Sequence, residues 1–229
     1  MTTTAKKGYR GMGMEGAIAR WYARTTDKNR EEYRKDARRM AGLLPGGGAV
    51  LEVAPGPGYL AIELAQLGAY DVTGLDISKT FVELATKGAA AAGVRVSFRE
   101  GNVSAMPFEA DSFDLIYCRA AFKNFSEPVA ALAEMYRVLK PGGRAVINDL
   151  RKNASRAAIR SAVAGMGLGR VNAWLTRLIF RRVLLQRAYT LEDMRRMAAE
   201  SPFGGCTIEC DLIGMEVTLT KPGGSGSGI

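Results

Sequence analysis

Between residues 49 and 150 the chain alternates short apolar runs with longer segments whose apolar positions recur at helical spacing. The runs AVLEVA (49–54), YDVTGLD (70–76), VRVSFRE (94–100), FDLIYCR (113–119) and RAVINDL (144–150) predict strands. GYLAIELAQLG (58–68), the stretch from a cap at Ser78 to about Ala92, and PVAALAEMYRVLK (128–140), stopped by Pro141-Gly142-Gly143, predict helices. Strands that alternate with helices imply right-handed crossovers and a parallel sheet, an α/β fold. Ahead of this core, residues 1–11 read as disordered. MGMEGAIARWYAR (12–24) reads as a short helix with Met14, Ile18, Trp21 and Tyr22 as its bulky members. Thr26 and Asp27 offer N-caps for a second helix near 28–44, where Tyr33, Ala37, Met40, Ala41 and Leu44 repeat at helical spacing. Behind the core, residues 151–188 are basic and helical, Thr190 with Asp193 makes a capping box, and CTIECDL (206–212) with GMEVTLTK (214–221) predicts a closing antiparallel pair. The expected organisation is N-terminal helices over 1–44 acting as lid and cap, a main domain over 45–221 with a helical insert at 151–188, and a flexible tail over 222–229. The tail has linker composition and is set aside as an artificial remnant.

Composition narrows the classes. With 229 residues, 47% hydrophobic and 24% charged, the chain can bury an ordinary globular core. No stretch approaches the roughly 18 apolar residues of a membrane helix, and the N-terminus lacks a signal-peptide apolar region, so the expected location is cytoplasmic. Cys118, Cys206 and Cys210 show no zinc spacing, and no metal is expected. The chain has no histidine, which excludes a histidine base, a Ser–His–Asp triad and a histidine-ligated metal. A formal charge of +9 favours nucleic acid, an anionic membrane or an acidic substrate, but it is spread along helices as solvated faces are.

The first strand–helix junction, VLEVAPGPGYLAIELA (50–65), carries the best-defined chemistry. Gly56 and Gly58 permit a sharp turn and close ligand approach at a helix N-terminus. Asp76 ends the second strand, where an acid accepts ribose hydroxyls. These facts specify an adenosine-containing cofactor and leave NAD as a competitor, because Gly56, Gly58 and Ala61 satisfy the dinucleotide fingerprint. Glu52 inside the first strand argues against a pyrophosphate and for an ammonium. Gly101-Asn102, then Ala105 and Met106, put an amide and apolar surface where an adenine would lie.

LEVAPGPG, VTGLDIS, GNVSAMPFEADSFDLIYCRAAFKNF and EMYRVLKPGGRAVI, in that order over roughly 45–150, resemble the class I S-adenosylmethionine-dependent methyltransferases. The nearest group is the small-molecule type that includes the ubiquinone/menaquinone biosynthesis enzymes. The resemblance implies a Rossmann-like, seven-stranded, mostly parallel sheet with an antiparallel last strand, plus helical lid elements. It implies S-adenosylmethionine as cofactor, with Glu52, Gly56 and Gly58 on its methionine part and Arg119 beside the methionine carboxylate. Asp76 would hold the ribose, Asn102 and Val103 the adenine, and Ala54 and Ile77 complete the set. Such proteins often have aspartate where this chain has Asn102, which can still accept from the adenine amine.

The expected acceptor is a small molecule, aromatic or quinol-like. Met14, Trp21, Tyr22 and Phe122 are its candidate contacts, and Tyr22, Lys123 and Asp149 the weak candidates for catalysis. Residues 9–24 and the insert, with Trp174, Leu178, Phe180 and Leu184, are placed to enclose it. The insert's Arg170, Arg177, Arg181, Arg182 and Arg187 also suit peripheral contact with a membrane surface. Three alternatives remain. One is an RNA or DNA methyltransferase, although no base-flipping motif or recognition domain is present. The others are an NAD-binding oxidoreductase and a non-catalytic cofactor-binding protein.

Overall fold

The structure is a computed structural model and describes residues 8–10, 13–165, 169, 174, 178 and 184–223. The expectations for residues 1–7 and 224–229, and for Met12, Arg170, Arg177, Phe180, Arg181 and Arg182, lie outside the described residues.

Seven strands form one sheet: β1 (Gly48–Val53), β2 (Tyr70–Asp76), β3 (Val96–Glu100), β4 (Phe113–Arg119), β5 (Leu139–Leu150), β6 (Thr207–Cys210) and β7 (Gly214–Thr220). Their order is β3-β2-β1-β4-β5-β7-β6. β1 to β5 are mutually parallel, and β7 runs antiparallel to both β5 and β6. The order reverses between β1 and β4, and the crevice outside their carboxyl ends is where such sheets bind ligands.

Helices cover both faces: α1 (Gly16–Thr26), α2 (Arg30–Leu43), α3 (Tyr59–Ala65), α4 (Lys79–Ala91), α5 (Pro128–Val138), α6 (Arg156–Gly165) and α7 (Leu191–Glu200). Strand alternation sorts the side chains. Leu51, Val53, Ile116, Cys118, Ile147 and Val217 pack with Leu132 and Met135 of α5 and with Met194 of α7. Val50, Val72, Leu115, Tyr117 and Val146 pack on the other face against Ala37 and Met40 of α2 and Leu60 and Leu64 of α3. A third, small cluster joins Ile159 and Val163 of α6 to Leu185, at the base of the insert. None of the helices formed by the described residues is long and apolar enough to cross a membrane.

Two local readings need correction. Thr26 and Asp27 do not cap α2. The Thr26 hydroxyl donates back to the Tyr22 carbonyl, and Asp27 opens a single 3-10 turn that runs into the helix. β5 begins at Leu139, not Arg144, and takes in Pro141-Gly142-Gly143. The pairing with β4 shifts register there, which tolerates a proline. Gly143 has no room for a side chain, since a Cβ would fall 2.9 Å from the Lys140 carbonyl and 3.0 Å from the Asp114 carbonyl.

A candidate cofactor cleft at the carboxyl edge of the sheet

The loop after β1 bends sharply through left-handed backbone at Ala54 (φ 54°), Gly56 (φ 55°) and Gly58 (φ 77°). The two glycines serve different ends. A Cβ on Gly56 would meet nothing within 4 Å, so its bare backbone borders open space. A Cβ on Gly58 would lie 2.7 Å from Phe98 and 2.8 Å from Ala85, so that glycine lets β3 and α4 pack against the turn. The expected ligand approach at Gly58 is thus joined by a packing role that also requires glycine there. Non-glycine residues in this backbone region carry strain that concentrates at functional sites. Ala54 after β1 and Ala120 (φ 57°) after β4 both carry it, on either side of the switch point.

Two buried carboxylates sit at this edge. Asp76 accepts from the Gly56 N–H and the Ser78 N–H, each at 2.9 Å, which fixes its orientation across the loop. Burial pushes its carboxyl up to about 6, against the lowering effect of those two backbone donors. Glu52 follows Val50 on the α2–α3 face, and α3 covers it. It is only 6% exposed, and its Oε2 is buried without a hydrogen-bond partner. Burial pushes its carboxyl up to about 8, although Arg119 pulls the other way. A buried acceptor without a donor is costly unless a ligand supplies one.

Arg119 continues the same alternation from Leu115 and Tyr117, so its side chain emerges toward α2. There it pairs with Asp36 at 2.7 Å and Glu32 at 3.2 Å and lies over the Tyr33 ring. Its charge is already matched by these two acids, and it lies close enough to Glu52 to act on that carboxyl. Ile77, next to Asp76, is 43% exposed and gives that end of the edge an apolar surface. Beyond β3, the Asn102 Oδ1 accepts from the Ser104 N–H at 3.0 Å, and Val103 is buried.

The N-terminal segment crosses this edge. Tyr9 bridges to Phe125, and a Cβ on Gly8 would lie 2.7 Å from the Asn102 amide. Ser78 Oγ donates to the Met14 carbonyl at 2.6 Å, while the Glu15 carboxylate accepts from the N–H groups of Lys79 and Thr80. Glu15 thus satisfies orphan donors at the start of α4, an interaction the helix dipole favours. Sequence reasoning missed this cap because 64 residues separate its partners. Among the acceptor candidates, Trp21 is 62% exposed and the Tyr22 ring packs edge-on against Phe81. Burial raises the Tyr22 hydroxyl above its usual value, so it is no base near neutrality. Phe122 was expected to touch substrate; it is instead fully buried, against Phe125 and Tyr189.

Lys123 and Asp149 are also buried, and they satisfy each other. Lys123 Nζ reaches Asp149 Oδ1 at 2.7 Å and donates to the Ala120 carbonyl, while Asp149 Oδ2 accepts from the Lys123 N–H. Neither is available as a base, which corrects both as catalytic candidates. They lock the loop after β4 to the end of β5.

Comparison with known proteins adds an independent line. Residues 51–147 match the methyltransferase-domain family. The chain is 38% identical over 107 residues to a demethylmenaquinone methyltransferase of Deinococcus radiodurans, covering 46% of this chain and 44% of that one. It is 35% identical over 126 residues to a ubiquinone biosynthesis O-methyltransferase of Xanthomonas axonopodis pv. citri, covering 55% and 52%. The chain therefore spans about half the length of the curated relatives it matches. A crystal structure from Methanococcus maripaludis, assigned as an S-adenosyl-L-methionine-dependent methyltransferase, superposes with a TM-score of 0.75 at 21% identity. That match covers 95% of this chain and 98% of the other.

Proposed function

We propose that this chain, whose residues 51–147 form a class I methyltransferase domain resembling that of the ubiquinone/menaquinone group, methylates a small acceptor using S-adenosylmethionine. The observation that carries the reading is the pair of buried carboxylates around the glycine turn, one of them with an orphaned oxygen. A methionine ammonium supplies the donor that Glu52 Oε2 lacks and pairs with the carboxylate as it ionises, whereas a pyrophosphate gains no charge partner there. The open space at Gly56 fits a ligand lying against bare backbone. In this reading Glu52, with Ala54 and Gly56, holds the methionine part. Asp76 takes ribose hydroxyls with the lone pairs left by Gly56 and Ser78. Ile77 gives the ribose end an apolar wall, and Asn102 and Val103 face the adenine.

The cofactor, when bound, supplies a methyl group already activated on a sulfonium. The chain's part is then to orient the two reactants and exclude water, an effect worth about 7–11 kcal/mol in well-aligned systems. Arg119, clamped by Asp36 and Glu32, stiffens the end of β4, and the Lys123–Asp149 pair stiffens the loop beyond it. Among the described residues, Tyr22, Lys123 and Asp149 offer no ready base and Glu52 and Asp76 are assigned to the cofactor, which favours acceptors whose reacting atom is already nucleophilic or ionised. The acceptor is proposed to be an aromatic or quinol-like small molecule, and relatives with both quinone-pathway names support that class.

The test is cofactor turnover on a panel of quinols, phenols, amines and thiols, with product mass and methyl position determined. Methylation of a quinol or phenol is expected. Turnover confined to amines or thiols would overturn the acceptor class.

A further inference from the structure

Beyond the cofactor cleft, the end of β5 opens on a cavity of about 300 Å³. Three separate segments place cations on its wall: Arg10 from the N-terminal segment, Lys152 from the turn after β5, and Arg187 from the stretch ahead of α7. Like charges gathered around one hollow repel unless an anion lies between them. Among the described residues none of the three forms an ion pair, and their recorded partners are neutral. Arg10 donates to the Tyr189 hydroxyl and the Ser126 carbonyl, and Arg187 to the Arg10 carbonyl.

The other charges on the wall are already matched. Lys123 is neutralised by Asp149. The single acid, Asp193, is taken by the Thr190 capping box and by Arg196. The Tyr189 hydroxyl, turned toward Arg10, adds a neutral polar group to the same wall. Guanidinium and ammonium groups on residues that line one concavity can recognise carboxylate and phosphate oxygens there.

We propose that this cavity is an anion subsite, and that the acceptor carries a carboxylate or phosphate group read by Arg10, Lys152 and Arg187. Calling its occupant the acceptor rests on the methyl-transfer reading; the anion site itself does not. Lys123 belongs to the cavity wall and to the loop after β4, so a group held here lies next to the loop bordering the cofactor edge.

The test is calorimetry on the full chain with benzoate, phenyl phosphate and neutral benzamide, each with and without S-adenosylhomocysteine. At least one anion should bind about tenfold more tightly than benzamide, the scale of hydrogen bonds to a charged group, and weaken as salt rises. Whichever anion binds better identifies the carboxylate or the phosphate as the natural group. Lys152→Gln and Arg187→Gln should each lower that affinity about tenfold, whereas Arg160→Gln, an exposed site on α6, should not. Equal affinity for all three probes overturns the proposal, as does an anion preference that survives both cavity variants. An equal loss in Arg160→Gln also overturns it, because it would mean a diffuse surface field. If benzoate binds and S-adenosylhomocysteine does not, the methyl-transfer reading fails and the anion site stands.

Discussion

Glu52 and Asp76 owe their chemistry to burial, so their charge states should report on ligand binding. With the carboxyl of Glu52 at about 8, the side chain is mostly protonated at pH 7, while Asp76, at about 6, is mostly ionised. An ammonium arriving at Glu52 favours its ionised form, so cofactor binding at pH 7 should release protons to the buffer, up to one per site. Calorimetry in buffers of different ionisation enthalpy measures this, and Glu52→Gln should abolish it. The same shift carries a sign for stability. A carboxyl raised above its unfolded value binds more protons in the folded state, so the free chain should lose stability as pH climbs from about 4.5 to about 8. Urea unfolding of Glu52→Gln should show that slope reduced over the same interval. The sequence makes Glu52 conspicuous as an acid in an apolar strand. Its orphaned oxygen was not legible there, because it depends on α2 and α3 closing over the α2–α3 face. Arg119 was partly legible for a related reason: strand alternation gives its side, but only the docked helix shows that it pairs with Asp36 and Glu32.

The elements divide by how locally they are specified. The caps at Ser78 and Thr190 depend on partners three residues away and were readable from spacing. Glu15 capping α4 and the early start of β5 depend on distant strands and segments, and were not. The N-terminal helix is the element with most at stake. Of α1, only Ala19 and Ala23 are buried, Tyr22 packs on Phe81, and Ile18 and Trp21 are exposed apolar residues. That is a small buried area for a helix, and it suits a segment that leaves and returns as ligands exchange. We propose that residues 9–24 act as this lid. Deleting residues 1–24 should then leave a cooperative urea transition for the sheet domain and remove most turnover. A deletion that prevents folding would make α1 core; one that keeps full turnover would move the acceptor site elsewhere.

Taken whole, the molecule gathers several unusual features at one edge. The strained residues Ala54 and Ala120, the buried acids Glu52 and Asp76, and the crossing N-terminal segment all lie at the carboxyl ends of β1, β2 and β4. The positive charge that reads in sequence as solvated helix faces is gathered in part, by Arg10, Lys152 and Arg187, around the cavity beyond β5. The central claim is that this edge is built for S-adenosylmethionine and not for a dinucleotide, which the glycine turn alone would also allow. Calorimetric titration of the full chain with S-adenosylmethionine and with NAD separates the two. The account predicts a single saturable site for S-adenosylmethionine and no heat from NAD; tight NAD binding with silent S-adenosylmethionine would contradict it.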